Sequence, residues 1–284
     1  MFVAVGFAFF WKKNVVEITA KKTASSLESI ENSGQEIPTP PDPPESENKI
    51  NSQNEAGINQ ENGSSDIEPQ SPLANPPSVI KAAYFTGWSA GSSKKVDYII
   101  DLARTTEINA VVIDVKDYSG YVGYDIQIPE VIKYNAKETR ISKINALIKK
   151  LHDEGIYVIA RITIFQDPRL AKARPDLAVK SKATGDVWRD RKGLSWMDPS
   201  NKEVWDYNIS IAKDASARGF DEINFDYIRF PSDGKINDMK FSSWDEKSPK
   251  HETIRKFFRY LCSQMGDIKI SADLFGLATV QSDD

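Results

Sequence analysis

From Val79 onward the apolar positions follow two alternating periods. Short runs rich in β-branched and aromatic residues, "AAYFTGW" (82–88), "AVVIDVKD" (110–117), "YVIARITIF" (157–165), "EINFDYIRF" (222–230) and "IKISADLFG" (268–276), read as strands. Between them "VDYIIDLARTT", "RISKINALIKKLHDEG", "NKEVWDYNISIAKDASARG" and "HETIRKFFRYLCSQM" carry the spacing of amphipathic helices. Ser200 with Glu203 predicts a capping box at the third of these helices. Gly155, Gly219 and Gly266 predict helix ends. Alternating strand and helix predicts a parallel βα architecture.

An open doubly wound sheet and a (β/α)8 barrel both fit this pattern. No G-x-G-x-x-G or G-x-x-x-x-G-K-[ST] follows any strand, which weakens nucleotide-binding versions of the first. Polar residues recur near the strands' C-terminal ends, where barrels of this type carry their sites. The expectation is an α/β fold over residues 79–284: a (β/α)8 TIM barrel, incomplete at about five βα units, with the missing units beyond Asp284.

Successive strand residues face opposite sides. Val111, Ile113 and Val115 take one face, leaving Asp114 and Lys116 on the other. Val158, Ala160, Ile162 and Ile164 likewise leave Arg161 and Thr163. Ile223 and Phe225 leave Glu222, Asn224 and Asp226, and the last strand leaves Lys269, Ser271 and Asp273. If the apolar faces meet the helices, four strands send charged side chains into one interior. Burying a carboxylate is costly unless it is paired or used. Interior ion pairs, Asp114 with Arg161 or Glu222 with Lys269, are the plain alternative to a site.

The N-terminal part is different. Residues 1–22 open with the apolar run "MFVAVGFAFFW", shorter than a membrane span, and predict a signal anchor truncated at its start. Lys12 and Lys13 after it argue by charge for the opposite orientation, and the two readings stay open. Residues 23–78 are rich in Pro, Ser, Glu and Asn and predict a disordered linker. An anchor, a tether and a folded domain suggest a membrane-tethered protein at the cell surface. The formal charge of −4 gives no support for nucleic-acid binding. The single Cys262 excludes a disulfide framework. The only two histidines, His152 and His251, both fall in predicted helices. Acid–base chemistry therefore falls to carboxylates, lysine or tyrosine, and no metal or cofactor is expected.

Two carboxylates flanking one pocket suit glycosidic bond cleavage, one as proton donor and one as nucleophile or base. Asp226 is the candidate nucleophile or charge stabiliser, and Asp273 or Asp114 the candidate acid. Lys116, Arg161 and Arg229 would hold a carboxylate ionised. The long connection 167–199 contributes Trp188, Trp196 and Asp198. With Trp88, Tyr118, Tyr121 and Tyr227 it offers flat faces for sugar rings. Trp205 reads as core. A Schiff-base lyase would need a desolvated lysine at a strand end, for which Lys116 is the candidate.

"YFTGW", "VVIDVKDYSG", "RITIFQDPRLAKARPDLAVK", "WMDPSNKEVWDYNI" and "GFDEINFDYIRFP" together resemble the family known as the "putative glycoside hydrolase domain" of bacterial, often membrane-anchored proteins. The resemblance runs from about Tyr84 to Gly276. It implies a TIM barrel distantly similar to the alpha-amylase-type clan, with the strand-four nucleophile falling on Asp226. That clan places a Glu acid at the end of strand five, where this chain has Asp273. It adds a strand-seven carboxylate that this chain does not contain. The resemblance implies a glycoside hydrolase acting on a polysaccharide or oligosaccharide. The alternative is a non-catalytic glycan-binding barrel tethered at the cell surface.

Overall fold

The computed structural model describes residues 65–274. In chain order they form β1 (Ala82–Phe85), α1 (Gly87–Ala90), α2 (Ser93–Thr105), β2 (Ala110–Lys116), β3 (Val122–Tyr124), α3 (Pro129–Lys133), β4 (Lys137–Ile141), α4 (Ile144–His152), β5 (Tyr157–Thr163), α5 (Pro168–Ala173), β6 (Lys180–Ser181), α6 (Lys202–Ala217), β7 (Glu222–Asp226), β8 (Met239–Lys240), α7 (Lys250–Met265) and β9 (Ile270–Ala272). Strands β1, β2, β5, β7 and β9 lie side by side and parallel. This is the run of strands of an unclosed (β/α)8 barrel, as the alternating pattern predicts.

The two faces of the sheet separate as the period-two reading requires. Val111, Ile113, Val158, Ala160, Ile162, Ile223 and Phe225 are fully buried in the layer shared with the helices. Into it α4 sends Ile144, Leu147, Ile148 and Leu151, and α7 sends Phe257, Leu261 and Met265. Each such side chain contributes about 1.5–3 kcal/mol by leaving water. On the opposite face, Tyr84, Val112, Ile159 and Glu222 fall in one register layer. Asp114, Arg161, Asn224 and Ser271 form the layer above it.

Several boundaries differ from the sequence pattern. β7 ends at Asp226, because Tyr227 turns to φ +55° and cannot extend the strand. The N-cap of α6 is Asn201, whose side chain accepts from the Glu203 amide at 2.9 Å, while Ser200 bonds Asp198 instead. Strands β3 and β4 extend the sheet beyond the end of β2, an addition the apolar pattern does not reveal because both are very short or polar. The turn into β3 depends on Gly120, at φ +84°, where an added Cβ would lie 2.0 Å from Asp167 Oδ1.

The tether does not extend to residue 78 as composition suggests. The Asp66 carboxylate accepts from the Asn145 and Ala146 amides at 2.7 and 3.1 Å, the unpaired donors at the start of α4. Asn145 Nδ2 donates to the Ile67 carbonyl at 2.7 Å, and the Gln70 amide donates to the Arg218 carbonyl at 3.0 Å. The Leu73 amide donates to Asp221 Oδ1 at 2.6 Å. Asp221 also accepts from the Val158 amide at 2.7 Å and lies 2.9 Å from His152 Nε2. This strap is held by backbone and capping bonds rather than by buried apolar side chains, so composition does not report it. Among the described residues no helix is long and apolar enough to cross a membrane. The expected anchor at 1–22 and tether residues 23–64 lie outside the described residues.

Asp66→Ala should lower stability in urea unfolding by about 0.5–2 kcal/mol, the range for loss of a helix N-cap. Gly219→Ala should cost about 1–3 kcal/mol. Its φ is +105°, and the added Cβ would sit 2.5 Å from the Gln70 carbonyl oxygen. Two variants as stable as wild type would mean that the strap adds nothing to the fold.

Candidate active site

Arg161, on the inward face of β5, draws the predicted carboxylates together. Its Nη1 lies 2.5 Å from Asp114 Oδ1, and its Nη2 donates to Asp226 Oδ2. Its Nε lies 3.9 Å from Asp273 Oδ2. Three strands, β2, β5 and β7, and the residue just after β9 therefore converge on one guanidinium. The register explains the meeting: Asp114 lies beside Arg161, which lies beside Asn224, and Asp226 follows two residues later on the same face. The planar guanidinium has enough donors to serve several carboxylates at once.

The three acids have different surroundings. Asp114 is almost fully buried, and burial pushes its pKa up even though the Tyr84 phenol and Arg161 stabilise its ionised form. Asp226 is one-fifth exposed, and its Oδ1 accepts from the Tyr227 amide at 2.6 Å. Asp273 is just over half exposed, and its Oδ1 accepts from Asn224 Nδ2 at 3.2 Å. Burial alone would lower the Arg161 pKa, but the Asp114 and Asp226 carboxylates outweigh it and hold the guanidinium charged. Tyr227 occupies a left-handed backbone conformation directly after Asp226, which costs about 1–3 kcal/mol for a side chain of this size. Asn224 Oδ1 and Thr163 Oγ1, also on inward positions, are buried and find no hydrogen-bond partner among the described residues.

Tyr84 escaped the sequence reading. Its hydroxyl donates to Asp114 Oδ2, and the Arg161 guanidinium lies 5.7 Å from its ring centroid. The alternation used for the other strands, applied to "AAYF", would have placed it inward.

The other candidates divide. Trp88 follows β1 and is 64% exposed, with Arg140 stacked at 5.2 Å, so one indole surface remains open at the site's end of the sheet. Arg140 is itself fixed by Asp117 and Glu138. Tyr227 and Arg229 form a stack with Trp196, with Arg229 at 4.9 Å from the Trp196 ring and 5.7 Å from Tyr227. Trp196 is buried, and its Nε1 donates to Asp190 Oδ2 at 3.0 Å, so it supports the stack rather than meeting a ligand. Trp188 is also buried and donates to the Lys235 carbonyl, while Trp205 lies in the core as expected. Asp198 does not reach the site. It is fully buried and accepts from Ser200, Ser242, Ser243 and Trp244, tying the start of α6 to the segment after β8.

Lys116 also leaves the expected face. The register shifts between Asp114 and Lys116, and Lys116 pairs with Ile162 rather than Thr163. A bulge of one residue reverses every side chain that follows. Lys116 Nζ is fully buried, 2.8 Å from Asp167 Oδ2 and 2.6 Å from the Thr163 carbonyl. Its contacts are those of a structural ion pair, and full burial keeps its amine from a carbonyl substrate.

Charged side chains meeting at the C-terminal ends of barrel strands define a carboxylate-centred barrel site. Residues 82–284 match the family model described as "putative glycosyl hydrolase domain", and the chain belongs to that family. The crystal structure of a hypothetical protein from Ruminiclostridium thermocellum ATCC 27405 is similar at 45% identity and TM-score 0.63, covering 68% of this chain and 97% of that one. The alpha-galactosidase TtGalA from Thermus thermophilus, solved with stachyose, is similar at 15% identity and TM-score 0.47. That match covers 75% of this chain and 43% of the galactosidase. An alpha-galactosidase from Lactobacillus brevis is similar at 14% identity and TM-score 0.47, covering 68% of this chain and 27% of that one. No curated protein matches the chain.

Lys116→Met should lower stability in guanidinium unfolding by about 3–5 kcal/mol, because it strands the buried Asp167. A change within experimental error would mean that the pair is not structural. Asp114 supplies a pH test. Folding raises its pKa from 3.8, so its favourable contribution is complete below that value and is lost as pH rises through the folded value. The stability of Asp114→Asn relative to wild type should therefore rise with pH between acid and neutral solution. A flat difference would contradict the assignment.

Proposed function

We propose that the protein is a glycoside hydrolase acting on a polysaccharide or oligosaccharide. The observation that carries this reading is the set of Asp114, Asp226 and Asp273 around Arg161, in a family described as "putative glycosyl hydrolase domain". Asp226 is held by the guanidinium and one backbone amide, which fix the orientation of the carboxylate that would serve as nucleophile or charge stabiliser. Asp273 is exposed enough to meet a leaving group and takes the general acid role. Asp114 is too buried for direct contact with sugar and supports Arg161.

In the proposed reaction the glycosidic C–O bond breaks as Asp273 transfers its proton to the leaving oxygen. The anomeric carbon is captured by the Asp226 carboxylate or by a water that it activates. Trp88 offers its open indole surface to a sugar ring, and the Tyr227–Arg229 stack borders the opposite strand end. Presentation of this domain at the cell surface through residues 1–22 belongs to the same proposal.

Asp226→Asn should lower turnover in a polysaccharide screen by at least about a thousandfold while binding is retained, in the upper range for a positioned acid–base or nucleophilic group. Binding without turnover in both proteins would replace the enzyme by a glycan-binding barrel. Full turnover in Asp226→Asn would overturn the site.

A further inference from the structure

Among the described residues, Tyr84 is an aromatic side chain on the inward face that touches the carboxylate cluster without belonging to the predicted set. It lies one register layer below Asp114, and its hydroxyl reaches up to Asp114 Oδ2. The other oxygen of that carboxylate accepts from Arg161 at 2.5 Å. The opposite end of the guanidinium fork holds Asp226. A chain of charge-assisted bonds thus runs from a phenol on β1 through β2 and β5 to the end of β7. Tyr84 is 55% exposed, and its hydroxyl is already used by the carboxylate.

We propose that Tyr84 is a positioning residue of this site. Its phenol fixes Asp114, Asp114 fixes the rotation of Arg161, and Arg161 aims the Asp226 carboxylate. This rests on the glycoside hydrolase reading. An arginine between three carboxylates has several nearly equivalent ways to pair. The phenol removes that freedom by occupying the second Asp114 oxygen, so the guanidinium meets Asp114 through Oδ1 alone and keeps Nη2 for Asp226. Asp114 is the most buried of the three acids and Asp226 is more exposed, so the fixed end lies inside and the working end is the one nearer solvent. The charged or titratable groups acting on Asp114 are Tyr84 from β1, Arg161 from β5 and Asp117 from the segment after β2. Removing the phenol withdraws a group that favours the ionised form of Asp114.

The test uses the full chain and Tyr84→Phe, which keeps the ring and removes only the hydroxyl. Two readouts are taken: kinetics on the polysaccharide that wild type hydrolyses, and the Asp114 carboxyl titration followed by ¹³C NMR. Tyr84→Phe is expected to lower kcat about ten- to a hundredfold, the scale of a misplaced reacting group, with KM within about threefold. Asp114 is expected to titrate at higher pH than in wild type. Adding Tyr84→Phe to Asp114→Asn should cost no further kcat, because the two residues act through one path. Unchanged kcat, or additive losses in the double variant, would overturn the proposal. If wild type turns over no glycan, the hydrolase reading fails separately and the NMR titration decides: an upward shift supports the phenol–carboxylate–guanidinium chain, and an unmoved Asp114 overturns it.

Discussion

Everything at the candidate site depends on one guanidinium. Three carboxylates near one another would repel and drive protons onto themselves. Arg161 allows them to lie together because its donors point in several directions from one rigid plane. A lysine at this position would place a point charge and could not span two strands on either side. The parallel register makes the arrangement possible by putting Asp114 and Arg161 side by side and bringing Asp226 level with Thr163.

A second cation has the opposite role. Lys116 and Asp167 are both fully buried and close the space between the end of β2 and the start of α5. Asp167 also caps α5 by accepting from the Leu170 amide at 2.7 Å. Gly120 leaves room for that carboxylate where any side chain would collide. The two ion-pair systems lie two residues apart on β2, one facing the barrel interior and one facing the protein core. The bulge between them separates a site from its scaffold.

The loop between α5 and α6 and the segment after β7 form a small second layer. Short antiparallel pairings join β6 to β8, and Asp198 ties the end of the loop to residues 242–244. Their apolar side chains, including Trp188, Trp196, Phe230 and Phe241, pack inward. This layer supports the Tyr227–Arg229 stack and so carries rigidity from an irregular region to the rim of the site. The strap at residues 66–73 does similar work elsewhere, capping α4 and engaging the loop before β7.

The alternation of strand and helix is legible in the sequence, and the polar residues at the strand ends favour a barrel over an open doubly wound sheet. The sequence by itself also determined which residues of each regular strand share a face. Asp114, Arg161, Asp226 and Asp273 were legible because strand periodicity is local and survives without knowledge of neighbours. Which of the remaining candidates lie beside that cluster depends on pairing and packing between distant segments. Lys116 changed sides through one extra residue in the pairing, which no period count can detect. Asp198 and Trp196 were captured by partners distant in sequence, and the strap at 66–73 was fixed by backbone bonds that composition does not encode. Tyr84 falls between the two cases. Its face follows from the sequence, but its contact with Asp114 exists only because parallel pairing brings β1 beside β2.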